Sequence, residues 1–154
     1  MKYTHTNIAA RDWKLLSEFY IKVFKCTPVP PERHLAGEWV DRLTTLKGAG
    51  IDGVHLRLPG YDDGPTLEIF SYNPSDFRTS TGGINRQGFG HIAFLVDSVE
   101  DVLKDLLENG GSQLGEIVVN EYKELGTLTA VYAADPEGNY VEIQNWKKNI
   151  HAGS

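Results

Sequence analysis

In the first half of the chain, apolar and polar residues alternate along several short stretches. In one further stretch the apolar residues recur at helical spacing. Residues 3–10 alternate loosely and predict a strand, and residues 13–24 carry apolar side chains three or four positions apart, which indicates a helix. Three further strands are predicted over 38–46, 53–58 and 66–72. The pattern of the first half is therefore βαβββ.

The second half repeats this order more clearly. Residues 89–97 predict a strand, and Ser98 with Asp101 three positions later is typical of a helix start. Strands are predicted over 117–121, 126–134 and 139–146. We therefore predict an α+β fold in which two tandem βαβββ modules make one domain, residues 1–154. Module 1 covers about 1–75, a linker about 76–88, module 2 about 89–146 and a tail 147–154.

The first copy carries an excursion, residues 28–50, that the second copy lacks. Prolines at positions 28, 30 and 31 argue against a regular helix or a central strand at its start. The excursion explains most of the difference in length between the two copies, and the sequence assigns it no role.

Composition narrows the classes of function. The chain has 154 residues, a net charge of −6 and 40% apolar residues, typical of a globular protein that binds neither nucleic acid nor acidic lipid. No apolar run reaches the roughly 18 residues that a membrane span needs. Cys26 is the only cysteine, so no internal disulfide is available and the cytoplasm is the expected compartment.

Four residues recur at matched places in the two copies: His5 and His91 near the start of the first strands, and Glu68 and Glu142 inside the last strands. In both Glu-containing strands a Gly stands four residues before the Glu, and an acidic residue precedes that Gly. A single strand Glu usually faces solvent, and a single His is commonly a hydrogen-bonded core residue. The repetition favours a divalent metal site with two imidazole and two carboxylate ligands.

Strand alternation supports this interpretation. Leu67 and Ile69 point to one face of their strand and Glu68 to the other. The aliphatic face suits packing on a helix, and the opposite face suits a ligand pocket.

The chain resembles the vicinal oxygen chelate superfamily, which includes glyoxalase I, methylmalonyl-CoA epimerase, extradiol dioxygenases and antibiotic-resistance proteins. The resemblance extends from His5 to Trp146 and is most specific in residues 90–97, 135–139 and 141–143. It implies a cup-shaped mixed sheet around one metal. The implied metal ligands are His5, Glu68, His91 and Glu142.

The complete ligand set resembles that of bacterial-type glyoxalase I. The resemblance implies a metal-dependent, lactoylglutathione lyase-like lyase or isomerase that acts on a small molecule with vicinal oxygens through a metal-stabilised enediolate. The cofactor is then one divalent ion, nickel, cobalt, zinc or manganese, and the catalytic base is Glu142 or Glu68. Alternatives are a methylmalonyl-CoA epimerase-like racemase, an extradiol dioxygenase using iron, and a metal-free small-molecule binding or resistance protein.

Five other residues are candidates for substrate binding. They share a strand face with the predicted ligands, and Arg57 suits an anionic group of the substrate; the set is Arg57, His55, Phe70, Tyr72 and Tyr140. Glyoxalase I has an Arg shortly after its first His to bind the glutathione carboxylate, whereas this chain has two alanines there and then Arg11. The expected partner is a small-molecule substrate, and family members commonly form homodimers.

Overall fold

The structure is a computed structural model that describes residues 1–77 and 82–148. The chain divides into two compact units, Met1–Ser80 and Thr81–Ser154. Part of the predicted linker (78–81) and most of the predicted tail (149–154) lie outside the described residues. Among the described helices, none combines the length and the apolar character that a membrane crossing requires.

The first unit contains one four-stranded mixed sheet and two helices. Its elements in chain order are β1 (His5–Ala9), α1 (Trp13–Phe24), β2 (Thr27–Ala36), α2 (Glu38–Thr44), β3 (Gly50–Arg57) and β4 (Thr66–Asn73). The strand order is β1-β4-β3-β2, with β1 parallel to β4 and the other neighbours antiparallel. The first and last strands of the unit therefore lie side by side.

The second unit repeats this arrangement with a single helix. Its elements are β5 (His91–Leu95), α3 (Val99–Glu108), β6 (Ser112–Tyr122), β7 (Gly126–Ala134) and β8 (Tyr140–Lys147). The strand order is β5-β8-β7-β6, with β5 parallel to β8. The predicted α+β fold with two βαβββ modules is confirmed, and α2 is an addition to the first.

Both long helices begin where a side chain binds their free backbone amides. Asp12 accepts hydrogen bonds from the amides of Lys14 and Leu15, and Ser98 accepts one from the amide of Asp101. Helix α1 packs on β3 and β4, and α3 packs on β6, β7 and β8. The aliphatic face of each sheet is thus covered by the helix of its own unit, which leaves the other face for function.

The strand predicted over 38–46 is wrong, because this segment forms α2. Acidic residues at its start suit a helix N-terminus, and Val40 is fully buried. The carboxylate of Asp41 accepts hydrogen bonds from the amides of Gly48 and Ala49, which fixes the loop that follows the helix. These contacts made outside the helix itself decide the structure of a segment whose apolar pattern is too short to distinguish helix from strand.

The proline-containing stretch forms β2 at the edge of its sheet. Proline lacks the amide hydrogen that a central strand must donate, so an edge is the position in a sheet that accepts it. The pairing of β2 with β3 is interrupted by a bulge between Val29 and Arg33.

Candidate functional site

The repeated strand pairing places one His beside one Glu in each unit. In the first unit Asn7 lies opposite Glu68 in the register of β1 with β4, and in the second Ala93 lies opposite Glu142 in the register of β5 with β8. Each His stands two residues before that partner and therefore on the same face of the sheet. We call the two combinations the first and the second His–Glu pair.

The first pair belongs to a cluster of polar side chains around Glu68. The Nε2 atom of His5 lies 3.4 Å from Oε2 of Glu68, and the side-chain amide of Asn7 donates to the same oxygen at 3.3 Å. The Nε2 atom of His55 lies 2.9 Å from Oε1 of Glu68. Both carboxylate oxygens of Glu68 therefore have polar partners.

Glu68 is buried, with 8% of its surface exposed. Burying a carboxylate without partners would be costly, and its partners in the first unit offset that cost. Among the described residues, no buried side-chain nitrogen or oxygen lacks a hydrogen-bond partner. The burial of Glu68 is thus explained by its neighbours alone.

His55 has both polar and aromatic neighbours within the first unit. It lies opposite Glu68 in the pairing of β3 with β4, and its Nδ1 atom is 2.9 Å from Oγ1 of Thr66. Its ring makes edge contacts with those of Phe70 and His5, at centroid distances of 5.7 and 5.9 Å. Burial lowers the pKa of His55 below its ordinary value, and the positive charge of Arg33 acts in the same direction; the carboxylate of Glu68 opposes both.

The second pair has fewer partners. The Nε2 atom of His91 lies 3.1 Å from Oε2 of Glu142. The residue opposite Glu142 in β7 is Tyr132, and its ring contacts the ring of His91 with a centroid distance of 5.0 Å. The cross-strand neighbour of the carboxylate thus packs on the imidazole, whereas in the first unit His55 contacts both the imidazole of His5 and the carboxylate of Glu68.

The predicted substrate-binding residues of the first unit differ in exposure. Phe70 is buried in a cluster with Val40, Ala49 and Ile51, and Tyr72 packs against this cluster. Burial raises the pKa of Tyr72, and the negative charge of Glu68 raises it further. Arg57 is exposed at the end of β3. Helix α2 therefore packs, through Val40, beside the strand face that carries Glu68.

In the second unit, the hydroxyl of Tyr140 donates a hydrogen bond to the backbone carbonyl of Gly82 at 2.7 Å. Tyr140 is half-buried and pairs directly with His91 in the register of β8 with β5. Its side chain is therefore anchored close to the second His–Glu pair.

Sequence reasoning missed Asn7, Thr66 and Tyr132. Asn7 was detectable in principle, because it stands two residues after His5 and shares its strand face. Thr66 and Tyr132 come close to the two His–Glu pairs because of the antiparallel register of their strands, which neither strand shows by itself. Register depends on turn geometry and bulges, which the strand pattern does not specify.

The chemistry of the donors suits a divalent ion. Imidazole nitrogen and carboxylate oxygen bind zinc and related ions at about 2.0–2.2 Å, so a nitrogen and an oxygen roughly 3 Å apart are compatible with one shared ion. Within the described residues, however, no group of three or more His, Cys, Asp and Glu side chains has the arrangement of a metal site. The four-ligand set stays a prediction.

Solved structures of similar fold support the assignment of the architecture. A glyoxalase family protein from Bacillus cereus has a TM-score of 0.76 at 18% identity, covering 96% of this chain and 94% of that chain. A glyoxalase family protein from Enterococcus faecalis has a TM-score of 0.58 at 20% identity, covering 94% and 95%.

A third similar structure, a glyoxalase/bleomycin resistance protein/dioxygenase family enzyme from Burkholderia phytofirmans, has a TM-score of 0.57 at 15% identity and covers 96% of this chain and 100% of that chain. None of the curated proteins matches the chain in sequence. The family model of the Glyoxalase/Bleomycin resistance protein/Dioxygenase superfamily matches residues 2–143, so the chain belongs to this superfamily.

Proposed function

We propose that the protein is a metal-dependent, glyoxalase I-like lyase or isomerase for a small molecule with vicinal oxygens. The observation that carries the proposal is the repeated His–Glu pair, at 3.4 Å in the first unit and 3.1 Å in the second. Membership of the superfamily supports it. His5, Glu68, His91 and Glu142 would hold one nickel, cobalt, zinc or manganese ion.

The bound ion would supply a Lewis acid that polarises a substrate carbonyl. A carboxylate of the protein removes the proton from the carbon next to that carbonyl, which leaves the substrate as an enediolate. The same carboxylate then returns the proton to the former carbonyl carbon. The two electrons of the broken C–H bond stay on the substrate, so the reaction is an isomerisation without net oxidation.

Glu142 suits the role of the base better than Glu68. In the described structure Glu142 has one side-chain partner, His91, whereas Glu68 has three in its own unit. A carboxylate with fewer partners reorients at lower cost, as the transfer of a proton between two carbons requires. Glu68 then serves as the fixed ligand.

The partner in this proposal is a small-molecule substrate, and the protein acts in the cytoplasm as a homodimer. Arg57 binds an anionic group of the substrate, because it is exposed at the end of the strand that carries His55. Tyr140 lines the second His–Glu pair, and Phe70 and Tyr72 form an apolar wall beside the first. His55 faces the same side but contacts Glu68.

The test is the metal content of the full-length protein by elemental analysis, with wild type beside Glu142→Gln. We expect about one tightly held divalent ion per chain in the wild type and a loss of at least tenfold in affinity in the variant. Glu121→Gln is the matched control, since it makes the same change at an exposed position of β6 in the same unit.

The identity of the ion directs the activity assays. If the ion is nickel, cobalt, zinc or manganese, the protein is assayed with hemithioacetal and 2-hydroxycarbonyl substrates in deuterated water. Incorporation of deuterium at the reacting carbon of the substrate then reports proton transfer. Bound iron with oxygen uptake on catechols would replace the proposal by a dioxygenase. A wild-type protein that takes up none of these ions would refute it and leave a small-molecule binding protein.

A further inference from the structure

Both ring nitrogens of His55 are in contact with polar side chains of the first unit. Nε2 lies 2.9 Å from Oε1 of Glu68, and Nδ1 is hydrogen-bonded to the hydroxyl of Thr66 at 2.9 Å. These two contacts occupy the nitrogens through which an imidazole would otherwise bind a substrate or an ion.

The carboxylate of Glu68 is contacted at both oxygens. Asn7 donates a hydrogen bond to Oε2, and Nε2 of His55 lies 2.9 Å from Oε1, so rotation of the carboxylate would break at least one of these contacts. The imidazole of His5 approaches the oxygen that Asn7 binds, at 3.4 Å. The orientation in which Glu68 meets His5 is therefore set by Asn7 and His55.

Within its described residues, the second unit lacks this arrangement. Tyr132 occupies the position equivalent to His55, directly across the strand pair from the carboxylate, and its ring packs on His91. Ala93 occupies the position equivalent to Asn7. The contrast shows that the contacts of Asn7 and His55 with Glu68 are not a general requirement of the strand pairing, because the other copy folds the same way without them.

We propose that His55 is a positioning residue that orients Glu68 as a permanent metal ligand, together with Asn7. The role of this residue rests on the proposed function, because it presupposes an ion at the first His–Glu pair. Side chains that orient metal ligands in this way contribute to affinity although they do not touch the metal. His55 therefore acts on the metal through Glu68 and does not bind substrate.

The test is a cobalt titration of the full-length protein, followed by its visible absorbance, for wild type, His55→Ala and His55→Gln. Truncation to Ala should raise the cobalt dissociation constant about 10–100-fold, with one ion still bound per chain. Gln places an amide N–H near the position of Nε2 and should restore most of the affinity.

His34→Ala is the matched control. His34 also contacts a carboxylate, that of Asp52 at 2.6 Å, but both side chains are exposed and lie away from Glu68 in the sheet register. The control should bind cobalt as the wild type does. Wild-type affinity in His55→Ala would overturn the proposal, as would loss of the cobalt stoichiometry in both His55 variants, which would make His55 itself a ligand.

A second measurement separates this proposal from the proposed function. Urea unfolding of the metal-free protein gives a double-mutant cycle of His55→Ala with Glu68→Ala, for which we expect a coupling of about tenfold in the unfolding equilibrium constant. If the wild type binds no cobalt, the proposed function fails. The cycle still measures whether His55 and Glu68 interact in the metal-free protein. Additive effects of the two substitutions would refute that link.

Discussion

Glu68 and Glu142 show how two residues of the same type at equivalent positions acquire different properties. Their strands, their parity and their distance from a His were predictable from the repeat, because each depends on local sequence. Their surroundings were not, since Glu68 meets His55 and Asn7 while Glu142 faces Tyr132 and Ala93 across the sheet. The alternating pattern identifies a face, and only the register identifies a neighbour.

Cys26 provides a prediction at the scale of a single residue. It is 3% exposed, and burial raises the pKa of its thiol from 9.0 to about 12. The thiolate is the reactive form, so the native protein should resist alkylation by iodoacetamide at pH 8, whereas the chain unfolded in guanidinium chloride should react completely. Mass spectrometry of the two samples measures this, and rapid labelling of the native protein would contradict the burial of the thiol.

The same pKa predicts the effect of pH on stability. The raised pKa means that the folded state binds the proton more tightly than the unfolded state, so the contribution of the thiol is complete below pH 9.0 and decreases as the pH rises toward 12. Over this window the free energy of unfolding should fall by up to about 1.4 kcal/mol per pH unit through this group. Cys26→Ala should remove this part of the slope, which urea unfolding of both proteins at several pH values would show.

The strands that carry the first site were predicted to within three residues of their observed bounds, and the segment beside them was predicted wrongly. Elsewhere, the predicted helix over 13–24 and the strand over 126–134 agree with α1 and β7 in both bounds. Segment 38–46 was predicted as a strand, and the interactions that make it a helix come from the loop after it and from β3 and β4. A short amphipathic segment takes its structure from its tertiary contacts.

At the scale of the element, the close packing of β3 on β4 depends on Gly53. A Cβ at this position would lie 2.2 Å from the carbonyl oxygen of Ile69 and 2.3 Å from the ring of Phe70. Gly53→Ala should therefore force the two strands apart and lower the free energy of unfolding by about 2–4 kcal/mol, measured by urea denaturation. Because Glu68 and His55 lie on these strands, the variant should also bind cobalt more weakly.

Gly50→Ala is the control for this prediction. Gly50 begins the same strand, and a Cβ there would meet no atom within 4 Å. Its free energy of unfolding should stay within about 1 kcal/mol of the wild type. Equal losses for both variants would show that alanine in β3 is harmful for a reason other than the contact with β4.

At the scale of the whole molecule, the number of metal ions per chain tests whether the two His–Glu pairs act together. The proposed function requires one ion, and either Glu68→Gln or Glu142→Gln should then weaken binding of that ion by at least tenfold. Two independent sites would instead bind two ions, and each variant would lose one of them. Isothermal titration with cobalt distinguishes these outcomes, and the exposed control Glu121→Gln should behave as the wild type does.

The parallel pairing of β1 with β4, and of β5 with β8, has a consequence for the order in which the protein is made. A ribosome releases β1 before any other strand of the first unit, yet among the described strands it pairs with β4 alone, the last strand of that unit to be synthesised. Such distant contacts form slowly, because the intervening chain must be ordered first. His5 and His91 are therefore synthesised early in their units, and each can pair with its Glu only after the last strand of the unit has been made.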